Sequence, residues 1–137
     1  MSVSYAQQAA RQYRTTQVST AGPMKLVLML YDGAIRFVNQ AAAAVESNKL
    51  EEAHRSLLRA QDILAELDGA LDRSAGEIAE NLHRLYDYMQ RRLIEGNVRK
   101  DPEPLREVAG LLEQLQEAWQ AVAQSEGGSA HGRPARA

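Results

Sequence analysis

The 137-residue sequence contains no cysteine, so disulfide frameworks and cysteine-ligated zinc are excluded, and the composition suits a reducing cytosol. It has little net charge: 16 Lys+Arg against 18 Asp+Glu give −2, without long blocks of either sign. Nothing therefore indicates nucleic-acid binding. The longest apolar run, LVLML before Tyr31, is far shorter than the ~20 residues of a membrane span, and no secretory signal precedes it. We expect a soluble cytoplasmic protein without direct membrane insertion.

The sequence also lacks the motifs of a catalytic site, such as a G-x-S-x-G turn or a glycine-rich phosphate loop. Two Glu-x-x-His pairs, Glu51 with His54 and Glu80 with His83, have the ligand spacing of di-iron bundles. Both pairs lie off the apolar faces of their helices. Antiparallel pairing would put residue 83 level with about residue 64, roughly 15 Å from His54 along the axis, too far for one metal pair. We therefore expect no metal, no cofactor and no enzymatic activity; a ferritin-like metalloenzyme is a remote alternative that only metal analysis would revive.

What the sequence does contain is apolar residues at intervals of three and four, which is typical of amphipathic helices. No segment alternates with a period of two over a useful length, so no strand is predicted. Four helices are predicted, and the connections between them are short enough to force neighbours to run antiparallel. The sequence therefore predicts an all-α protein, an antiparallel up-down-up-down four-helix bundle.

Prolines and capping residues set the predicted helix ends. Ser74 followed by Glu77 is a capping-box pattern for the third helix. Asp101 before Pro102 caps the fourth. The helices are predicted over residues 23–47, 49–72, from 74 onward, and 102–125, with Ile78 and Trp119 on the inward lines of the third and fourth.

Three regions follow from this pattern. Residues 1–22 form a flexible N-terminal arm with too few bulky apolar groups to pack as an independent element. Residues 23–124 form the four-helix bundle. Residues 125–137, which mix glycine, proline and small residues without periodicity, are predicted to be a disordered tail.

The first helix carries more apolar surface than a single buried face requires. Two apolar stripes lie on either side of a polar line, with centres roughly 160° apart on a helical wheel. The first stripe contains Leu26, Leu30, Gly33, Phe37, Ala41 and Ala44. The second contains Leu28, Tyr31, Ile35, Val38, Ala42 and Val45. Either two neighbouring helices cover both stripes, or the surplus surface is a groove for another helix.

Long segments of the sequence resemble the flagellin export chaperone (FliS) family in order and spacing. They are VSTAGPMKLVLMLYDGAIRFVNQA, RAQDILAELDGALD, GEIAENLHRLYDYMQRRLIEGN and EVAGLLEQLQEAW, and the match covers Tyr13 to Val122. The resemblance implies an antiparallel four-helix bundle that binds the C-terminal, disordered segment of flagellin in the cytoplasm. Such a chaperone prevents premature polymerisation and delivers flagellin to the flagellar type III export gate.

The resemblance also implies site residues. One flagellin segment per chaperone would cover the spare apolar surface, for which the candidate groove residues are Leu28, Tyr31, Ile35, Leu58, Ile63 and Tyr86. In such chaperones an N-terminal segment with a tyrosine can lie over the empty groove and is implicated in docking to the cytoplasmic domain of the export gate. Tyr13 matches that position best, and Tyr5 is the second candidate. The free chaperone is expected to be a monomer or a weak dimer.

A second interpretation is structural. The spare stripe of the first helix would be buried in a homodimer, and the protein would be a helical-bundle adaptor or regulatory protein without a flagellin client. The state of the free protein at micromolar concentration distinguishes the two, because an obligate dimer sediments as a dimer.

Overall fold

The structure is a computed structural model that describes the backbone of residues 23–136 and the side chains of residues 24–125. It contains four helices: α1, Pro23–Glu46; α2, Leu50–Gly69; α3, Glu77–Arg99; and α4, Pro102–Arg136. A 3-10 turn, Arg73–Ala75, separates α2 from α3. No strand occurs within this range, so the predicted all-α four-helix bundle is confirmed. None of the described helices has the length and apolar character needed to cross a membrane.

Each helix runs antiparallel to its two neighbours. α1 and α3 each lie between α2 and α4, and they face each other diagonally across the core. Interhelical contacts set the register, because residue numbers rise along one helix as they fall along its partner. These contacts are Gln61 with Gln90, His54 with Asn97, Glu46 with Arg106, and Asp32 with Gln116.

The two apolar stripes of α1 are both covered within the bundle. The first faces α2, where a Cβ added to Gly33 would lie 3.1 Å from Ile63 Cδ1. The second faces α4, where Trp119 Nε1 donates to the Tyr31 hydroxyl at 3.1 Å. Small residues along α1 let its backbone approach both neighbours closely. The interpretation in which two neighbours flank α1 therefore accounts for its wide apolar arc, and the arc alone does not mark a free groove.

The predicted caps have different outcomes. Asp101 Oδ1 accepts from the backbone N–H of Glu103 at 3.0 Å, so this cap of α4 is confirmed. The predicted capping box of α3 is wrong, because the backbone N–H and the hydroxyl of Ser74 both donate to Asp72 Oδ1. Ser74 belongs to the 3-10 turn, and α3 begins at Glu77 after Gly76, which has φ 80° and provides no side-chain cap.

Two helix ends also differ from the prediction. α2 ends at Gly69 rather than near Asp72, because Asp72 caps the 3-10 turn instead. α4 continues past Ser125, its predicted end, to Arg136. Each residue added to an existing helix gains a backbone hydrogen bond without a new nucleation step, so apolar periodicity alone underestimates helix length. The tail is described only in its backbone, which continues α4 to Arg136. The arm, residues 1–22, lies outside the described residues and remains a prediction.

One end of the bundle, where α1 finishes and α4 begins, is tightly packed; we call it the closed end. Gly96 of α3 makes the close approach to α4 possible, because an added Cβ would lie 2.7 Å from Leu105 Cδ2. Burying one leucine side chain fully stabilises a fold by ~1.5–3 kcal/mol. The closed end is defined by Val38, Ala41, Ala42, Leu57, Ala60, Leu93, Leu105, Val108 and Leu112, which are all at most 2 % exposed.

Candidate functional site

The six candidate groove residues do not form one surface. Tyr31, Ile63 and Tyr86 are buried in the core at 0, 5 and 2 % exposure. Leu28 and Ile35 are half-buried on α1, whereas Leu58 is 47 % exposed on α2. Tyr31 and Ile63 face the bundle centre and pack against its own side chains, whereas Tyr86 also lines the cavity described below. A role of the six in binding remains a prediction, and Tyr5 and Tyr13 lie outside the described residues.

The structure instead contains an apolar cavity at the opposite end from the closed end. We call this the open end. The cavity has a volume of about 260 Å³ and lies between the start of α1, the end of α2, the start of α3 and the middle of α4. Its apolar lining residues are Leu26, Val27, Leu30, Leu67, Ala70, Leu71, Ala75, Ile78, Ala79, Leu82, Tyr86 and Trp119. This volume and lining suit a ligand group that is largely apolar.

Among the described residues, no helix closes over this end. A seven-residue connection separates Gly69 from Glu77 there, and the described part of α1 begins at Pro23. Ile78 was predicted to point inward and to be covered. It does lie on the cavity side of α3, yet 68 % of its surface is exposed, because no described residue packs over it. An isoleucine left open at the mouth of an apolar cavity is a surface that a partner could bury.

Three polar groups meet beside the cavity. The hydroxyls of Tyr31 and Tyr86 are 2.7 Å apart, and Trp119 Nε1 donates to the Tyr31 hydroxyl. Burial raises the pKa of the Tyr31 hydroxyl. Burial and the neighbouring Tyr31 also raise the pKa of Tyr86 well above its ordinary value. Both phenols therefore stay protonated at neutral pH, and the cluster is uncharged.

A second apolar surface lies on the outside of the α2–α3 pair, and we call it the outer seam. Leu58 of α2 is level with Ile94 of α3, which is 50 % exposed, and Val98 one turn further is 73 % exposed. Ile94 and Val98 lie beside the apolar line of α3 rather than on it, so the helical periodicity does not single them out. Exposed β-branched residues at a spacing of four on one helix are the signal that could have found them.

The two histidines whose side chains are described, His54 and His83, have structural partners. His83 Nδ1 lies 2.8 Å from Asp68 Oδ1, and His54 Nδ1 lies 3.2 Å from the Asn97 side-chain nitrogen. His83 is thus level with residue 68 rather than with about residue 64 as predicted. Within the described part of the chain, no group of three or more His, Cys, Asp or Glu residues could hold a metal ion.

The geometry defines a class of protein: a four-helix bundle of low net charge with an apolar cavity at one end. Comparisons with known proteins are consistent with that class. The family model of the flagellar protein FliS matches residues 5–126. The chain is 38 % identical to the flagellar secretion chaperone FliS of Bacillus subtilis, over 88 % of this chain and 90 % of that protein.

Other relatives agree. The flagellar secretion chaperone FliSB of Pseudomonas aeruginosa is 37 % identical, with 86 % of this chain and 98 % of that protein covered. FliS of Salmonella typhimurium is 39 % identical over 77 % of this chain and 79 % of that protein. The chain therefore belongs to the FliS family, a family of flagellar secretion chaperones and not of enzymes, and the resemblance noted in the sequence is confirmed.

Proposed function

We propose that this chaperone binds the C-terminal disordered segment of flagellin in the cytoplasm, one segment per chain. Binding prevents premature polymerisation, and the complex is delivered to the cytoplasmic domain of the flagellar export gate. The observation that carries the proposal is the open apolar cavity with Ile78 exposed at its mouth, in a chain of the FliS family. An amphipathic helix of the client, with its apolar side chains in the cavity, is the partner that this shape favours.

The outer seam extends this surface along the bundle. From Leu67 at the cavity to Leu58 at the seam, α2 advances about 14 Å at 1.5 Å per residue. A client that contacts both surfaces must therefore be long and must wrap the bundle. A disordered segment can do so, and the cost of ordering it keeps the affinity low enough for release. Masking an apolar surface of flagellin requires no catalytic residue.

The N-terminal arm has a place in this proposal. Residues 1–22 directly precede Pro23, and Leu26, which lines the cavity, is three residues further along. The arm is therefore tethered beside the cavity mouth. We propose that it covers the cavity when no client is bound and that Tyr13, or Tyr5, then contributes to docking at the export gate. The free chaperone is a monomer or a weak dimer in this scheme, because the stripes of α1 are covered internally.

Calorimetry with flagellin tests the proposal. Flagellin should bind 1:1 and its C-terminal segment should gain helical circular dichroism, whereas flagellin without its last ~40 residues should not bind, as expected for a long wrapped segment. Replacing Ile78 with Asp should weaken binding at least tenfold, because the charge would be desolvated in the cavity mouth. Ala43→Asp, on the exposed face of α1, is the matched control and should bind as wild type. No binding tighter than about 100 μM by wild type would overturn the proposal.

A further inference from the structure

The polar cluster beside the cavity contains one more donor hydrogen than it has hydrogen bonds. Trp119 N–H, Tyr31 O–H and Tyr86 O–H supply three hydrogens. They form two hydrogen bonds: Trp119 to Tyr31, and one between the two hydroxyls. Among the residues that the structure describes, no other acceptor contacts either hydroxyl. One phenolic hydrogen is therefore left over, whichever hydroxyl donates in the tyrosine pair.

The surroundings decide which hydroxyl keeps the spare hydrogen. If Tyr86 donated to Tyr31, the spare hydrogen would belong to Tyr31, which is 0 % exposed and does not line the cavity. An unsatisfied donor sealed in the core is costly. If Tyr31 donates to Tyr86, the spare hydrogen belongs to Tyr86, which is 2 % exposed but lines the cavity. A group that enters the cavity can then accept it, so this arrangement is favoured.

The spare donor specifies what fits the cavity. Its walls take an apolar group, but the Tyr86 hydroxyl needs an acceptor. A leucine-type side chain has no acceptor, whereas a backbone carbonyl of the bound segment can supply one beside it. Within a helix the carbonyls are occupied, and only those of the last turn lack intrahelical partners. The C-terminal end of a client helix therefore supplies both an apolar side chain and a free carbonyl.

We propose that the cavity binds the C-terminal end of a client helix, with one apolar side chain among Leu67, Ile78 and Leu82 and one last-turn carbonyl accepting from the Tyr86 hydroxyl. This inference rests on the proposed flagellin client. Tyr86 is then a specificity-determining residue. Its hydroxyl favours a client segment whose helix ends at the cavity, and the cavity walls favour an apolar side chain at that end.

Two phenylalanine variants test this role. Tyr86→Phe removes the spare donor. Tyr31→Phe also removes the hydrogen bond between the two tyrosines, but it keeps the Tyr86 hydroxyl. Affinity for the flagellin C-terminal segment, measured by calorimetry, should fall about fivefold to tenfold in Tyr86→Phe, as for one lost hydrogen bond. It should change less than about twofold in Tyr31→Phe. Equal losses in the two variants, or no loss in Tyr86→Phe while wild type binds, would overturn the inference and leave the flagellin proposal standing.

A small-molecule titration tests this inference without the flagellin client. Cyclohexanone, an apolar ring with one carbonyl, is titrated into wild type and both variants, and methylcyclohexane is the matched ring without an acceptor. The chain has one tryptophan, so a single indole N–H resonance, that of Trp119, reports occupation of the cavity. Cyclohexanone should bind Tyr86→Phe several-fold more weakly than wild type or Tyr31→Phe, and methylcyclohexane should not distinguish them. Equal cyclohexanone binding by all three proteins, or none by wild type, would refute the spare donor as a binding group even if flagellin itself does not bind.

Discussion

The two ends of this bundle are built from the same four helices, yet they are packed differently. At the closed end, side chains such as Leu57, Leu93 and Leu105 have at most 2 % exposure. At the open end, Ile78 is 68 % exposed beside a cavity of about 260 Å³. Small residues on α1 and Gly96 on α3 bring the backbones together at the closed end, whereas the long α2–α3 connection keeps them apart at the open end.

The comparison shows how a small bundle separates stability from binding. Core packing at one end holds the helices in register, so the other end can leave apolar surface uncovered without unfolding. Apolar surface that is not buried in the free protein contributes little to its stability, but it becomes favourable when a partner removes it from water. Substitutions at the two ends should therefore change different properties.

The largest expected effect on stability is at the closed end. Leu57→Ala should lower the free energy of unfolding by ~2–5 kcal/mol, because it leaves a cavity in a well-packed core. Urea denaturation followed by circular dichroism measures the change. The matched variant at the open end, Ile78→Ala, should lie within about 0.5 kcal/mol of wild type, as for an exposed residue. Equal destabilisation by both variants would remove the distinction between the two ends.

Gly96→Ala should have the next largest effect. The added Cβ would lie 2.7 Å from Leu105 Cδ2 and 3.0 Å from the backbone oxygen of Asp101, and the backbone oxygen cannot move aside easily. Overpacking of this kind costs ~1–3 kcal/mol, measured as the shift of the urea midpoint. Gly110→Ala in α4 is the control, because nothing lies within 4 Å of its added Cβ. The control should instead stabilise the helix by ~0.5–1 kcal/mol, and the same sign for both glycines would contradict the packing argument.

A smaller effect is expected at Tyr31, which lies between the closed end and the open end. Tyr31→Phe removes the acceptor of the Trp119 N–H and one hydroxyl bond to Tyr86. The loss should be ~1–2 kcal/mol in the free energy of unfolding, mostly from the unpaired donor. Thermal and urea denaturation measure it. Val38→Ala, two turns further along the same stripe of α1, should lose stability with an intact Trp119 indole resonance, whereas Tyr31→Phe should shift that resonance.

The smallest expected effect concerns a polar cluster between α3 and α4. Glu107 accepts from the Tyr88 hydroxyl at 2.6 Å and from Arg92 Nε at 2.6 Å, and these two bonds lower the pKa of its carboxyl below the ordinary 4.5. A carboxyl whose pKa is lowered by folding stabilises the fold above pH 4.5, and this contribution is lost as pH falls through the folded pKa.

Because Glu107 is 38 % exposed, solvent screening should keep the contribution below ~1 kcal/mol. Glu107→Gln should therefore flatten the dependence of stability on pH below 4.5. Glu113→Gln, which removes the same charge from an exposed position of the same helix, is the control. A steeper pH dependence in Glu107→Gln than in wild type would contradict the assignment.

Much of the fold is predictable from the sequence, because the apolar spacing of each of the four helices and the Asp101 cap depend on neighbours a few residues apart. The cavity is not. Whether Ile78 is covered depends on how far α3 stands from α2, and that separation depends on the turn Arg73–Ala75, where Asp72 takes the hydrogen bonds of Ser74. Such a competition between two local caps has no signature in periodicity.

Periodicity is also insufficient to locate the candidate groove. A helical wheel shows that Tyr31 and Tyr86 are beside the main core lines, but it cannot show that their hydroxyls meet across the bundle. Of the two interpretations of the surplus apolar surface on α1, the structure supports cover by two neighbouring helices, as small residues such as Gly33 and Ala34 indicate. The apolar cavity lies at one end of the bundle, and the outer seam lies on α2 and α3.

The most direct test of the central claim is methyl NMR of the chaperone during titration with the flagellin C-terminal segment. If the open end is the binding site, the methyl resonances of Leu26, Leu67 and Ile78 should shift on saturation, and those of Leu57, Leu93 and Leu105 at the closed end should change little. Saturable binding with the open-end methyl resonances unchanged would contradict the account.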